Sequence, residues 1–460
     1  MTRLAALIAL IVLPGLLGAA EGALPASWAV APFAILLVAI AVGPLAAPHF
    51  WHRWYPSIAT GLGGLVAGYY LFELHKPAAL VHVGFEYATF IALLGCLYLC
   101  SGGIVVRINR IGTAWSNLAV LVGGACVANL IGTTGASLLL IRPFMAMNRG
   151  RLRPYHVVFF IFMVSNCGGC LTPIGDPPLL LGFLRGIAFF HFFELSVLPW
   201  LLTIGLLSAA FLAFDLRNQQ RSEFTPAGGI LTLEGKRNIA LLLLAIACVF
   251  IDPAKLSWLP AVSFHGERFS FVRELLMVAI GFAGWKLATP ERHKANDFLL
   301  GPIQEVALLF IGIFLTMLPA LELIRHAATS GALFGIALTP MTYYLGTGIF
   351  SALLDNAPTF LAFLAGLQGQ TGLDVSQLGH STDAVIVASL TGCLTAAVFW
   401  GAMSYIGNGP NFMVKAIVES SRDSAGRPLV EMPNFMDYML RYSIPILLPI
   451  LLVVGLVFFL

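Results

Sequence analysis

Charge is what this chain has least of. Of its 460 residues 10% are Asp, Glu, Lys or Arg, against 59% hydrophobic. A soluble domain of this size has no use for so much apolar surface, so the composition indicates a polytopic membrane protein. The formal net charge of +3 is small, which argues against nucleic-acid binding. Metal-ligand spacing is missing as well: His49, His52, His75 and His82 are spread over loop-like stretches. There is no His-Glu-x-x-His and no phosphate-binding loop, so neither a metallohydrolase nor a nucleotide-driven pump is indicated, and no cofactor is expected. Cysteines are few, seven in all, and each lies in an apolar span. Cys167-Gly-Gly-Cys170 has the spacing of a redox pair but no further ligands around it, and reads as packing.

What is present is a series of apolar stretches long enough to cross a bilayer. They run near 28–47, 57–72, 85–106, 156–190, 195–215, 238–253, 272–288, 302–321, 383–420 and 440–460. Two further stretches, about 115–147 and 331–367, carry a polar tip near the middle and read as re-entrant hairpins. Non-helical backbone survives at that depth only where protein or a water-filled cavity satisfies it. At the N-terminus, Arg3, the apolar run Leu4 to Leu13 and then Gly18-Ala19-Ala20 resemble a cleavable signal peptide over residues 1–20; the alternative is a retained helix.

With the mature N-terminus outside, this drawing places eighteen Lys and Arg on inner loops, Arg53, Arg142, Arg149 and Arg422 among them. Four remain outside: Lys76, Lys255, Arg268 and Arg325. The positive-inside rule supports that orientation, with the C-terminus also outside and the protein in an inner-type cytoplasmic membrane. The expected fold is an all-α membrane protein of two inverted repeats, 28–216 and 238–460, joined by a cytoplasmic linker, 217–237. Each repeat has five crossings, one of them a broken helix, plus one hairpin. Five is odd, so the second repeat is inverted.

Four polar interruptions stand in two matched pairs. Asn129-Leu-Ile-Gly-Thr133-Thr134 is echoed by Asp355-Asn356-Ala-Pro-Thr359, with 227 positions from Asn129 to Asn356. Thr172-Pro-Ile-Gly175-Asp176-Pro-Pro is echoed by Tyr405-Ile-Gly-Asn408-Gly-Pro-Asn411, with 232 positions from Asp176 to Asn408. Paired broken helices in a repeated chain point to the central site of a secondary transporter. A break frees carbonyls at one helix end, which suit a cation, and N–H groups at the other, which suit an anion.

Asp176 and Asp355 are the two acids inside the breaks, and a buried intramembrane acid is a functional hypothesis by default. Such an acid holds a cation when ionised or a proton when neutral, so both are candidate proton carriers. For each, the plainer reading is a helix cap. Asn129, Thr133, Thr134, Ser165, Asn166, Thr172, Gly175, Asn356, Thr359, Asn408 and Asn411 gather at the same breaks and are candidate ion or substrate ligands. Arg142 and Arg185, just past a hairpin and a break, read as snorkelling side chains. Asp215 reads as a span boundary.

Ser165-Asn-Cys-Gly-Gly-Cys-Leu-Thr-Pro-Ile-Gly-Asp176-Pro-Pro and Ser351-Ala-Leu-Leu-Asp355-Asn-Ala-Pro-Thr359 resemble motifs of the ion transporter superfamily. That superfamily includes NhaD-type sodium/proton antiporters, arsenite permeases and citrate or dicarboxylate carriers. The likeness covers about residues 55–460. It implies inverted repeats, re-entrant hairpins, a homodimer through scaffold helices and elevator-type alternating access. Dicarboxylate carriers tend to have Ser-Asn-Thr at both hairpin tips, which this chain lacks, and an acid at a tip would repel a carboxylate. The first reading is therefore sodium/proton antiport, carrying Na⁺ or Li⁺ against H⁺. The alternative is a cation-coupled carrier of citrate or a dicarboxylate. A metalloid exporter and an intramembrane aspartyl protease stand behind these; Pro173-Ile-Gly-Asp176 lacks the protease's Gly-x-Gly-Asp. The expected partners are the lipid bilayer and a small inorganic cation.

Overall fold

The computed structural model describes residues 24–226, 229–251, 256, 258–264, 267–333, 335–422, 426 and 428–460. The leader expected over 1–20 lies outside the described residues, as do Lys255 and Arg427. The protein is 73% helical with little sheet. In chain order the elements are α1 (Ala31–Ala46), α2 (Pro48–Gly68), α3 (Pro77–Ser101), β1 (Val105–Ile108), α4 (Ala114–Met147), α5 (Pro154–Met163), α6 (Pro177–Leu184), α7 (His191–Asp215), β2 (Leu231–Glu234) and α8 (Lys236–Cys248). There follow β3 (Val262–Phe264), β4 (Glu267–Phe269), α9 (Val272–Leu287), α10 (Pro290–Ala295), α11 (Gly301–Ala327), β5 (Ala332–Leu333), β6 (Ile336–Ala337), α12 (Pro340–Leu353) and α13 (Asn356–Thr371). The last are α14 (Val375–Leu378), α15 (Ala384–Trp400), α16 (Gly409–Ser420) and α17 (Phe435–Phe458).

Seven helices among the described residues are long and apolar enough to cross a membrane. The spans expected near 238–253 and 272–288 form helices of only 13 and 16 residues, too short for that test. The small sheets are three antiparallel pairs. One is informative: β2, inside the linker 217–237, pairs with β1, Arg107 opposite Thr232, so the linker is stitched to the first half.

Proline at the first turn starts many of these helices, where its missing N–H costs nothing; α2, α3, α5, α6, α12 and α16 all begin this way. Two starts match more closely. Thr113 accepts the Ser116 N–H and Ser116 returns a bond to the Thr113 N–H, and Thr339 does the same with Thr342. Such reciprocal caps fix where a helix begins.

These two capped helices open the two segments with polar tips. α4 is 34 residues long but is no straight rod. Gly132 interrupts it at φ 79°, ψ 154°. The Gly112 N–H donates to the Met147 carbonyl at 2.8 Å, and Asn117 and Asn148 exchange amide hydrogen bonds, so the two arms return to one foot. α12 and α13 behave likewise: Gln370 on α13 donates to the Leu338 carbonyl at 2.8 Å and bonds the Tyr343 hydroxyl at 2.9 Å. Each segment is a helical hairpin, with its tip at Gly132 or at Asp355.

α2, α3, α9 and α11 pack against one another through small residues and stacked rings. A Cβ on Gly312 would lie 2.6 Å from the Ala59 carbonyl, and Phe90 stacks on Phe310 at 4.8 Å. Without a hydrophobic drive between helices in lipid, such close approach supplies the packing energy. Large apolar side chains such as Phe72, Leu198 and Leu275 are exposed, as suits lipid contact.

Arg185 does not snorkel. It makes a two-pronged pair with Glu86 on α3, at 2.9 and 3.0 Å, and Glu86 is also within 3.4 Å of His82. His82 thus sits inside α3 and not in a loop. Arg142 pairs with Asp297 at 2.9 Å. Asp215 is no mere boundary: it is buried at the end of α7 and paired with Arg151 at 2.7 Å.

Candidate functional site

All four polar interruptions meet at one carboxylate. Asp176 is 2% exposed and sits between the broken helix α5–α6 and the tips of both hairpins. From the first tip, Thr133 donates its hydroxyl to Asp176 Oδ1 at 2.6 Å. From the second, Asn356 donates its amide to Oδ2. From the second broken segment, Asn408 donates its amide to Oδ1 at 3.0 Å. All three donors are neutral. Among the described residues no Lys, Arg or His is paired with Asp176, while Arg185, close in sequence, is spent on Glu86.

Local chain geometry explains why these groups converge. In both broken segments a short 3-10 turn, Cys167–Cys170 or Gly401–Met403, is followed by a tight crossing of two glycines. A Cβ on Gly175 would overlap the Gly169 carbonyl, and one on Gly407 would overlap that of Gly401. Only glycine permits such backbone contact. The next residue then caps a helix in the same extended conformation: Asp176 at φ −151°, ψ 149°, Asn408 at φ −153°, ψ 139°. The Thr133 N–H donates to the Gly175 carbonyl at 2.8 Å, which locks the first tip against the break. Gly175 contributes backbone only.

The other candidate ligands brace the breaks. Asn129 donates to the Gly168 carbonyl at 2.7 Å and accepts from the Leu171 N–H at 2.8 Å. Thr172 donates to the Asn129 carbonyl at 2.6 Å. Thr359 donates to the Asp355 carbonyl, and Asn411 donates to the Gly401 and Ser404 carbonyls while accepting from Asn166. Thr134 is half-buried at the first tip and is not joined to Asp176. Asp355 caps α13, taking the Ala357 N–H at 3.0 Å, and it is half-buried. It therefore fits the plainer reading of a cap.

Several members were not singled out from sequence. Ser137 bonds Ser165 at 2.7 Å, one turn beyond Thr133 on the same arm; that four-residue spacing was the available signal. Ser351 donates to the Ala397 carbonyl, and Ser404 accepts the Ile406 and Gly407 N–H groups. Trp200 reaches the Gly168 carbonyl from α7, and no sequence spacing links it to the breaks.

Two kinds of capacity remain unspent. The amide oxygens of Asn356 and Asn166 are buried and accept no hydrogen bond among the described residues. The Asn356 oxygen belongs to the amide that meets the Asp176 carboxylate, and a hard oxygen ligand there suits a small cation. The Asn356 and Gly409 N–H groups, first in α13 and α16, have no acceptor among the described residues, and Gly409 is exposed with open space where a Cβ would stand. Among the described residues no group of three or more His, Cys, Asp or Glu is placed to hold a metal ion, and Cys167 and Cys170 are buried free thiols.

The family model CitMHS_2, described as "Putative citrate transport", matches residues 22–459, nearly the whole chain. No curated protein matches the chain.

Proposed function

The chain belongs to the putative citrate transport family, and on that premise we propose that it is a secondary active carrier that moves citrate or a related carboxylate together with a cation. One observation carries this reading: Asp176, held by neutral donors alone, stands beside helix N-termini with unspent N–H groups. The carboxylate gives a cation its counter-charge, with the Asn356 amide oxygen as a neighbouring ligand. The N-terminal end of α16, which carries no acid, offers a donor and a positive dipole end to the anion, whereas that of α13 is already capped by the Asp355 carboxylate. The two halves differ where it matters. Position 177, the counterpart of Gly409 by the 232-residue offset, is Pro177, which has no N–H. The cation end and the anion end are thus distinct, and a cation bound at Asp176 removes the repulsion a carboxylate substrate would otherwise meet.

The matched caps at Thr113 and Thr339, the matched glycine crossings and the joined hairpin feet support two inverted repeats over 28–216 and 238–460. In this reading the hairpins are re-entrant, and the site moves in an elevator step past the frame of α2, α3, α9 and α11. Both termini lie outside an inner-type membrane, and the protein forms a homodimer through the frame.

Sodium/proton antiport is the second reading. It is favoured by the neutrality of Asp176's donors, since a proton and Na⁺ or Li⁺ would compete for one carboxylate. The deciding experiment is uptake of labelled citrate into proteoliposomes under imposed Na⁺, Li⁺ or proton gradients. Saturable uptake that needs a cation gradient is expected. No uptake, with proton release on adding Na⁺ or Li⁺, would replace the carrier by the antiporter.

A further inference from the structure

A cluster of positive charge lies away from Asp176. At the foot of the first hairpin is a cavity of about 720 Å³. Three stretches of chain build it: the returning arm of α4 with Arg142 and the turn after it with Arg149, the linker with Glu223, and the segment after α16 with Arg422. Among the described lining residues three arginines face one glutamate, an excess of two positive charges (3 − 1). Arg149 and Arg422 are exposed and have no acidic partner among the described residues. Arg142 is different. Its Nη2 holds Asp297 at 2.9 Å, while its Nη1 is buried and donates to nothing among the described residues. A buried guanidinium nitrogen without an acceptor is costly and unusual, and here it borders a cavity large enough for a small ligand.

We propose that this cavity is a second anion site, taking a small multiply charged anion of the carboxylate or phosphate class on Arg142, Arg149 and Arg422. Planar guanidinium forks match such oxyanions. The cavity lies on the returning arm of the first hairpin. Arg142 is nine residues beyond Thr133, about 14 Å along a helix. An anion that engages Arg142 competes with Asp297, which lies between α10 and α11 and ties the hairpin to the frame. Occupancy therefore loosens that tie, and the site reads the anion concentration on its own face of the membrane. This last step rests on the carboxylate-carrier reading; the binding site itself does not.

The test is isothermal titration of the full-length protein in nanodiscs, with citrate and, separately, inorganic phosphate, comparing wild type with Arg149→Gln/Arg422→Gln. Both positions are exposed, but Arg422 also donates to the Glu419 and Ser421 carbonyls at the end of α16, so thermal unfolding of the variant is measured beside the titration, and Arg149→Gln alone, which breaks no such bond, should weaken the same event in part. With both sites present, citrate binds in two events, and the variant weakens one of them roughly 10-fold or more. If the carrier reading fails, a single event remains, and it is still weakened by the variant. Asp297→Asn, which frees Arg142, is expected to tighten the sensitive event several-fold, a gain that a merely structural role for the arginines would not produce. Phosphate binding as strong as citrate's keeps the site and makes charge its specificity. A single event indifferent to the arginines and to Asp297, or no binding of either anion, overturns the proposal.

Discussion

Asn408 donates its side-chain amide to Asp176 across 3.0 Å, although 232 positions of sequence separate them. They occupy the same place in the two broken segments, each capping the helix that follows a glycine crossing. The acid of one segment is thus held by the amide that replaces it in the other. In Asp176→Asn the new amide nitrogen would face the Asn356 amide, but Asn356 can turn its unpartnered oxygen into that contact. The fold should therefore lose no more than about 1 kcal/mol, while the charge is gone. Cation-dependent uptake is expected to fall by roughly 100-fold, the worth of about 3 kcal/mol of charged interaction. Exchanging the pair, Asp176→Asn with Asn408→Asp, should recover a measurable part of that loss. Uptake assays beside thermal unfolding of both variants check this; unchanged uptake in the single variant would remove Asp176 from the mechanism.

Gly409→Pro isolates the anion side. Proline is acceptable at a helix's first position, and the preceding Asn408 already has the extended backbone that proline requires. The other half carries Pro177 at this place without disruption. The substitution deletes one N–H and little else. Stability should stay within about 0.5 kcal/mol, and the KM for citrate should rise roughly 10-fold, the loss of one charge-assisted hydrogen bond. An unchanged KM with normal stability would show that α16 does not hold the substrate.

The four breaks were legible because each advertises itself with glycine, proline and polar residues inside apolar runs, and those residues do converge. Roles within the breaks were not legible. Asn129, Thr172 and Asn411 look like ligands in sequence, yet each bonds backbone groups that a broken helix leaves bare, and Thr359 bonds back to the carbonyl four residues earlier in its own first turn. An amide that ligates an ion and one that satisfies a carbonyl are the same letter, and only the fold distinguishes them. The pairing of Arg185 is hidden in sequence for a related reason: its partner Glu86 is 99 positions away, and no local pattern joins them. Short helices such as α8 and α9 blur the count of crossings: the apolar stretch 238–253 runs past the end of α8 at Cys248, while α9 fills its stretch and is itself short.

Gly132 is a backbone requirement. Its φ of 79° with ψ of 154° lies in a region open essentially to glycine alone, and a Cβ there would stand 3.3 Å from the Ile174 carbonyl. Gly132→Ala should cost about 1–3 kcal/mol and displace Thr133 from Asp176. The expected result is a lowered unfolding temperature together with weaker cation activation of uptake. Weaker activation at unchanged stability would show that the tip relaxes without strain. Full activity would show that the tip does not need this conformation.

Asp215 should matter for stability and not for selectivity. Beyond Arg151, it accepts from Tyr155 at 2.6 Å and from Asn117 at 2.9 Å, and His156 lies 3.1 Å away. Asn117 opens the first hairpin, and Asn148, which closes it, accepts from Arg151 at 3.0 Å. One carboxylate thus gathers both ends of the hairpin onto the end of α7. Asp215→Ala leaves a guanidinium that is 4% exposed without its counter-charge, and breaking such a buried pair costs about 3–5 kcal/mol. Replacing both partners, Asp215→Leu with Arg151→Met, removes the orphaned charge and should return much of that loss. Thermal unfolding of the single and double variants checks the expectation. In the surviving double variant the cation preference of uptake should match wild type, because nothing at Asp176 has changed; an altered preference would mean that the hairpin foot sets the geometry of its tip.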